Sequence, residues 1–280
     1  MGLTAILFPG QGSQTPEMRE TVAEVRPDLL ALASEVVGED PFARVDHGTR
    51  FAQPAIFCAS LAGWEALGRP SGDLMAGHSL GELGALVAAG CVGEREGLEL
   101  VALRGRLMQE SGEAAGDGSM LALMGRGAAE DAAEIAGAHG LAVANDNSPQ
   151  QVVLSGDRAG FAGATAAAKE LGLRAMELPV TGAFHSPMMA SAVPEFEAAL
   201  EHVEISPPRA EVTVLSAVTA APFDDVRAQL AQALTMPVRW RETLLALREN
   251  GAERFVEVGP GRVLTGLVKR TLRDVELASA

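Results

Sequence analysis

The segment Gly77-His78-Ser79-Leu80-Gly81 carries the pattern that lifts a serine out of a sharp strand-to-helix turn, where its hydroxyl can act as a nucleophile. Leu74-Met75-Ala76 reads as a short buried strand leading into it. Leu80 to Ala89 reads as the helix that follows, stopped by Gly90. Glycines flank the serine because a Cβ would clash in so tight a turn. The helix start adds free N–H groups and the positive end of its dipole, which favour negative charge beside Ser79. The plainer alternative is a tight turn whose serine only caps the helix.

A serine nucleophile needs a base, and the chain has five histidines. His47 and His139 fall in polar, loop-like segments, and His202 lies near a helix end between Glu201 and Glu204. His78 adjoins Ser79, but side chains of neighbouring turn residues are expected to diverge. His185 stands in Thr181-Gly182-Ala183-Phe184-His185, just before Ser186-Pro187, an N-cap followed by a first helical residue. That ordered setting suits a general base and a structural histidine equally. Arg104 is an independent clue. In a helix expected from about Gly97 to Gln109, its neighbours one turn away are Leu100, Val101, Leu107 and Met108. A guanidinium on an apolar face needs a partner. Either an internal Asp or Glu supplies it, or a ligand carboxylate does, which the planar fork grips bidentately.

The elements that must position these residues alternate short apolar runs with longer helical ones, the texture of an α/β fold with a mainly parallel sheet. Ala5 to Phe8 is a first strand, ending in the turn Pro9-Gly10-Gln11-Gly12-Ser13-Gln14. Pro54 to Leu67 is predicted helical. From Ser119 to Pro179 the order becomes strand, helix, strand, turn at Asn147-Ser148-Pro149, strand, helix, strand, the βαββαβ order of a small ferredoxin-like domain. The expected division is a large α/β-hydrolase-like domain over 1–118 and 183–280 with the small domain, 119–182, inserted. After Ser186 the chain is predicted to run as a helix from Pro187 to about His202, a strand over 212–218, two helices around Pro237, a strand over 255–258 and a last helix. No linker is visible, so the two domains should be packed and not tethered.

With 280 residues, 48% of them apolar, the chain can bury a sizeable core, which must be built from Ala, Val, Leu and Met because Tyr is absent and aromatics are few. A net charge of −15 without a basic run argues against nucleic acid. The first residues lack a cationic region and a myristoylation signal, and no apolar run reaches the ~18 residues of a spanning helix. A cytoplasmic monomer without membrane attachment is expected. Cys58 and Cys91 sit in apolar segments and read as small buried hydrophobes, and no Cys/His spacing suggests a metal.

Seven segments together resemble the malonyl-CoA:acyl-carrier-protein transacylases, both the fatty-acid type and the free-standing trans-acting acyltransferases of polyketide synthases. They are Phe8–Gln14 (FPGQGSQ), Gly77–Glu82 (GHSLGE), Arg104–Gln109 (RGRLMQ), Asn145–Gly156, Gly182–Pro187 (GAFHSP), Pro237–Trp240 (PVRW) and Glu257–Arg270. The resemblance implies ping-pong transfer of malonate from coenzyme A to a carrier-protein phosphopantetheine, with Ser79 as nucleophile and His185 as base. It implies Gln11 and Leu80 N–H groups as the oxyanion hole, Arg104 on the malonyl carboxylate, Asn147 lining the site and Phe184 narrowing it, with no cofactor. Two positions depart from the family pattern: Ala233 replaces a Gln four residues before Pro237, and Ser216-Ala217-Val218 replaces Ser-Asn-Val. An acidic enzyme meeting an acidic carrier protein needs a local basic patch, for which Arg262, Lys269 and Arg270 are first candidates and Lys169 and Arg174 second; ordinary solvated charge is the alternative. Competing readings are an acyl hydrolase with the same Ser79 and His185, and a carrier-protein docking module without chemistry. An α/β-hydrolase proper fits poorly, because its histidine comes after an Asp or Glu and more strands precede its serine.

Overall fold

Successive residues of Ala5-Ile6-Leu7-Phe8 bury opposite faces, and that alternation sets the layers of the molecule. The computed structural model describes residues 2–70 and 72–279. Its strands are β1 Leu3–Phe8, β2 Leu74–Gly77, β3 Gly118–Met124, β4 Ala142–Ser148, β5 Gln151–Asp157, β6 Arg174–Glu177, β7 Thr213–Ser216, β8 Ala221–Pro222, β9 Ala252–Glu257 and β10 Glu276–Ser279. Six form one sheet in the order β10-β9-β1-β2-β7-β8, every pair parallel except β7 with β8.

Ile6, Phe8, Met75, Val214 and Val256 face one core, with the helices Met18–Val25, Thr49–Ala66, Gly81–Ala88 and Glu94–Ala115 packed over them. Ala5, Leu7, Leu74, Ala76, Leu215 and Phe255 face a second core, covered by the helices Trp240–Glu249 and Val263–Thr271. Thr49–Ala66 is buried on nearly every side, as a helix apolar all round must be. Each fully buried Leu, Ile or Phe of these cores contributes about 1.5–3 kcal/mol.

The second sheet is antiparallel, ordered β4-β5-β3-β6, with the helices Ala128–Ala138 and Phe161–Glu170 in the βαββαβ chain order. Leu121, Leu123, Val152 and Leu154 pack on those two helices. Met120, Ala122, Ala144 and Val153 point the other way and join the main core, so the small sheet is glued by its inner face. Val238 stitches the two sheets together. Its N–H donates to the Ala144 carbonyl at 2.8 Å, its carbonyl accepts from Asp146 N–H at 2.9 Å, and the next residue, Arg239, donates to the Ala217 carbonyl at 2.7 Å. An Arg241–Asp146 ion pair at 2.7 Å closes the same seam.

Several boundaries differ from those expected. The helix predicted from Pro54 starts at Thr49, so the proline sits inside it, and the helix holding Arg104 runs from Glu94 to Ala115. The single helix expected from Pro187 to His202 divides into a 3-10 turn, Pro187–Ala192, and an α-helix, Val193–Glu201. Pro194 explains the break, because it has no N–H to donate to the carbonyl of Ala190. β4 continues through Asn147 and Ser148, where a turn was expected. The helices Met18–Val25 and Pro27–Val37 and the edge strand β10 have no counterpart in the predicted elements. Cys58 and Cys91 are buried and unbridged. Among the described residues no helix is long and apolar enough to cross a membrane.

Candidate active site

Ser79 stands at the C-terminal edge of the large sheet, between β2 and the helix Gly81–Ala88, with φ of 54°. Non-glycine residues seldom adopt this left-handed conformation, and they are over-represented at functional turns. The turn closes because its neighbours lack side chains. A Cβ on Gly77 would lie 1.9 Å from the Gly81 carbonyl carbon, and one on Gly81 2.1 Å from the Phe8 carbonyl oxygen. Hydrogen bonds from His78 N–H to Phe8 O at 2.9 Å and from Gly81 N–H to His78 O at 3.0 Å hold the turn against β1.

The structure brings His185 to this serine. His185 also has positive φ, 57°, and is 4% exposed. Its Nδ1 lies 2.8 Å from the main-chain carbonyl of Ala233. A carbonyl can only accept, so Nδ1 carries the proton and Nε2 presents its lone pair. Nε2 is 2.8 Å from Ser79 Oγ, which therefore donates to it. Burial, then the nearby Arg104 and His78 charges, push the imidazole pKa down to about 3, against the pull of the Ala233 and Met236 carbonyls. The ring is neutral at physiological pH and ready to take a proton.

Arg104 occupies the floor of the cleft, 3% exposed, with Nη2 donating to Ser79 Oγ at 3.1 Å and Nη1 to Gln53 Oε1 at 2.8 Å. Both partners are neutral. Among the described residues no carboxylate lies within 4.0 Å of this guanidinium; the charge felt nearest is Glu82, and burial lowers the pKa to about 10, leaving a protonated cation. Of the two partners left open by its sequence, the internal acid is absent from the described residues. Glu82 itself is 1% exposed and accepts from Ala217 N–H at 2.7 Å and Ser216 Oγ at 3.1 Å; burial raises its pKa to about 7.

A cleft of about 220 Å³ opens onto these groups. Gln11, Leu80, Phe184 and Val180 are among its walls, along with Met120 and Asn145 from the small sheet. The main-chain N–H groups of Gln11 and Leu80 have no acceptor among the described residues, and both residues line the cleft beside Ser79. Such an arrangement can form an ester on Ser79, stabilise an oxyanion with two main-chain donors, and offer a cation to an acyl group that ends in a carboxylate.

The acyl transferase domain family matches residues 30–280. The polyketide biosynthesis malonyl CoA-acyl carrier protein transacylase BaeC of Bacillus velezensis is 38% identical over 291 residues, 98% of this chain and 98% of that protein. The chain belongs to the malonyl CoA-acyl carrier protein transacylase family. The polyketide biosynthesis protein ThaF of Burkholderia thailandensis is also 38% identical over 290 residues, 97% of this chain, which spans only 24% of that longer protein. A solved complex of a type II PKS acyl-carrier protein with its malonyl-transacylase superposes with a TM-score of 0.88 at 35% identity, covering 99% of this chain and 96% of that one.

One assignment in this transacylase needs correction. Asn147 does not line the cleft; Asn145 does, while Asn147 accepts a hydrogen bond from His78 Nε2 at 2.8 Å. β4 shifts register on both sides of Asn145-Asp146, so simple alternation does not decide which residue faces inward. His78 diverges from Ser79 as expected and buttresses the turn, its ring edge-on to Trp240 with centroids 5.4 Å apart. The proposed docking residues are also split. Arg262 follows Gly261, whose Cβ would meet Ser13 O at 2.7 Å, so it neighbours the Gln11 turn. Lys269 and Arg270 sit on the last turn of the helix Val263–Thr271, roughly 10 Å farther along its axis and toward the opposite edge of the sheet. Arg174 pairs with Met124 at the end of β3 remote from Met120, and Lys169 lies on the helix behind that sheet. Thr49, Gln53 and Glu82 were missed. Their signal was present as polar residues inside helices otherwise buried and apolar.

Proposed function

We propose that this transacylase moves a malonyl group from coenzyme A to the phosphopantetheine thiol of an acyl carrier protein, through an ester on Ser79. The observation that carries this reading is the buried Arg104 guanidinium, which touches the nucleophile and lacks an acidic partner among the described residues. A monocarboxylic acyl chain would leave that cation buried and unpaired; a malonyl group brings its own carboxylate.

In the first half-reaction Ser79 Oγ attacks the thioester carbon as its proton passes to His185 Nε2. The tetrahedral oxyanion accepts from the N–H groups of Gln11 and Leu80. Collapse breaks the C–S bond, and the leaving thiolate takes the proton from His185. In the second half the carrier thiol gives its proton to His185 and attacks the ester, and Ser79 leaves with that proton. Pairing Arg104 with the substrate carboxylate also removes part of the field that depresses His185, so the right acyl group strengthens the base that transfers it. Phe184, 6% exposed, is among the walls of the cleft, and on this reading its ring is what limits the room for an α-substituent. The chain supplies nucleophile, base and oxyanion donors itself, so no cofactor is required, and we place the reaction in the cytoplasm.

Intact-mass analysis after exposure to malonyl-CoA should show a malonyl adduct that Ser79→Ala abolishes. Arg104→Ala should lower kcat/KM for malonyl-CoA by about a hundredfold or more and leave acetyl-CoA far less affected. Retained malonyl preference in that variant would remove the carboxylate assignment. Rapid free malonate without carrier protein would favour the hydrolase.

A further inference from the structure

The helix Thr49–Ala66 begins with two buried polar side chains one turn apart, Thr49 at 2% exposure and Gln53 at 1%, in an otherwise apolar setting. They belong to one line of hydrogen bonds with a single possible sense. Arg104 can only donate, so Gln53 turns its Oε1 to Nη1 at 2.8 Å and its Nε2 away. That Nε2 donates to Thr49 Oγ1 at 2.8 Å, which leaves the one Thr49 hydroxyl proton for Gln11 Oε1, also at 2.8 Å. The line joins the floor of the cleft to its rim, and only its middle is buried. Gln11 is exposed on a turn whose other hydrogen bonds, Ser13 Oγ and N–H to Gly10 O at 2.8 and 3.3 Å and Gly12 N–H to Gln14 Oε1 at 2.8 Å, do not touch it. Among the described residues Thr49 is the partner that fixes the Gln11 side chain.

We infer that Thr49 and Gln53 are positioning residues that couple the carboxylate clamp at Arg104 to the Gln11 N–H donor, so that recognition of the acyl carboxylate is expressed in the rate of Ser79 acylation and not only in binding. This rests on the roles given to Arg104 and Gln11 above. Arg104 without a ligand is held by two neutral acceptors, and a carboxylate gripping its free N–H groups immobilises it further. Gln53, Thr49 and Gln11 are then fixed in turn, because each bond in the line polarises and orients the next. Binding energy from the carboxylate, a group that does not itself react, thereby appears at the oxyanion donor, where it raises kcat.

The test is single-turnover acylation of Ser79 by saturating malonyl-CoA and acetyl-CoA in wild type, Thr49→Val, Thr49→Ser, Arg104→Ala and the Thr49→Val/Arg104→Ala double variant. Thr49→Val should slow malonyl transfer by about ten- to a hundredfold and acetyl transfer by less than about threefold, with Thr49→Ser restoring both. It should have no further effect once Arg104 is gone. Should Thr49→Val not fold, Thr49→Ala makes the same break with a smaller side chain and must give the same selective loss. Equal slowing of both acyl groups, an additive double variant, or no change overturns the coupling. Wild-type protein that forms no malonyl adduct overturns the functional reading and this inference together; wild-type protein that forms the adduct with an additive cycle overturns this inference alone.

Discussion

At Ala233, where the family pattern has a Gln, it is the main chain that meets His185. The carbonyl orients His185, and the methyl group is 4% exposed and points into the core. Ala217, the other departure, contributes its N–H to Glu82 in the same way. Ala233→Gly, which adds no volume at this buried position, should therefore change kcat by less than about threefold, measured as malonyl transfer to carrier protein, since it leaves the carbonyl in place. The pH dependence is set by His185, whose pKa of about 3 is held down by burial and by Arg104. On the part of His185, acylation by acetyl-CoA, which has no carboxylate to titrate, should thus stay level from about pH 8 down to pH 5, and a step near pH 7 would report the buried Glu82 instead. Removing the cation in Arg104→Gln lifts one of the lesser effects that depress the imidazole pKa, so the acid limb below pH 5 moves to higher pH. Superimposable profiles would show that Arg104 does not act on His185.

The strand-turn-helix around Ser79 is a local device, legible because its requirements are local: an apolar strand, two residues without Cβ, and a helix start. Gly81→Ala pushes a methyl to within 2.1 Å of the Phe8 carbonyl oxygen, and backbone cannot yield as a side chain can. A loss of about 3 kcal/mol or more is expected in urea unfolding, with Ser79 acylation abolished; an unchanged midpoint would mean that β1 can move aside. The helix Thr49–Ala66 shows the opposite case. Reading Pro54 as its first residue hid the turn that carries Thr49 and Gln53, because proline favours a helix start, whereas here it lies inside the helix.

Across the whole molecule, Val238 and the Arg241–Asp146 pair lock the small sheet to the large one, so a cleft formed between two sheets has rigid walls. The surface carries a net charge of −15, and an acidic carrier protein approaches it against that field. Arg262, the one docking candidate beside the Gln11 turn, is exposed and makes no ion pair among the described residues. Arg262→Glu should raise the carrier-protein KM by about three- to tenfold without altering acylation by malonyl-CoA, while Lys269→Glu and Arg270→Glu leave both unchanged. An unaffected carrier KM in Arg262→Glu would place docking elsewhere on the surface.

The sequence by itself determined the layers, the insertion of a βαββαβ unit and the serine turn, because periodicity and steric demand are written in neighbouring residues. It also placed His185 and Arg104 on ordered elements and left their partners open. Only the packing of the two sheets decided those partners, since His185 meets Ser79 from 106 positions away and Ala233 from 48. The same packing turned Asn147 toward His78, joined Arg104 to Gln11 through two buried polar residues, and separated Lys269 and Arg270 from the cleft. Distances across layers depend on how side chains fill the space between them, and no local pattern contains that information.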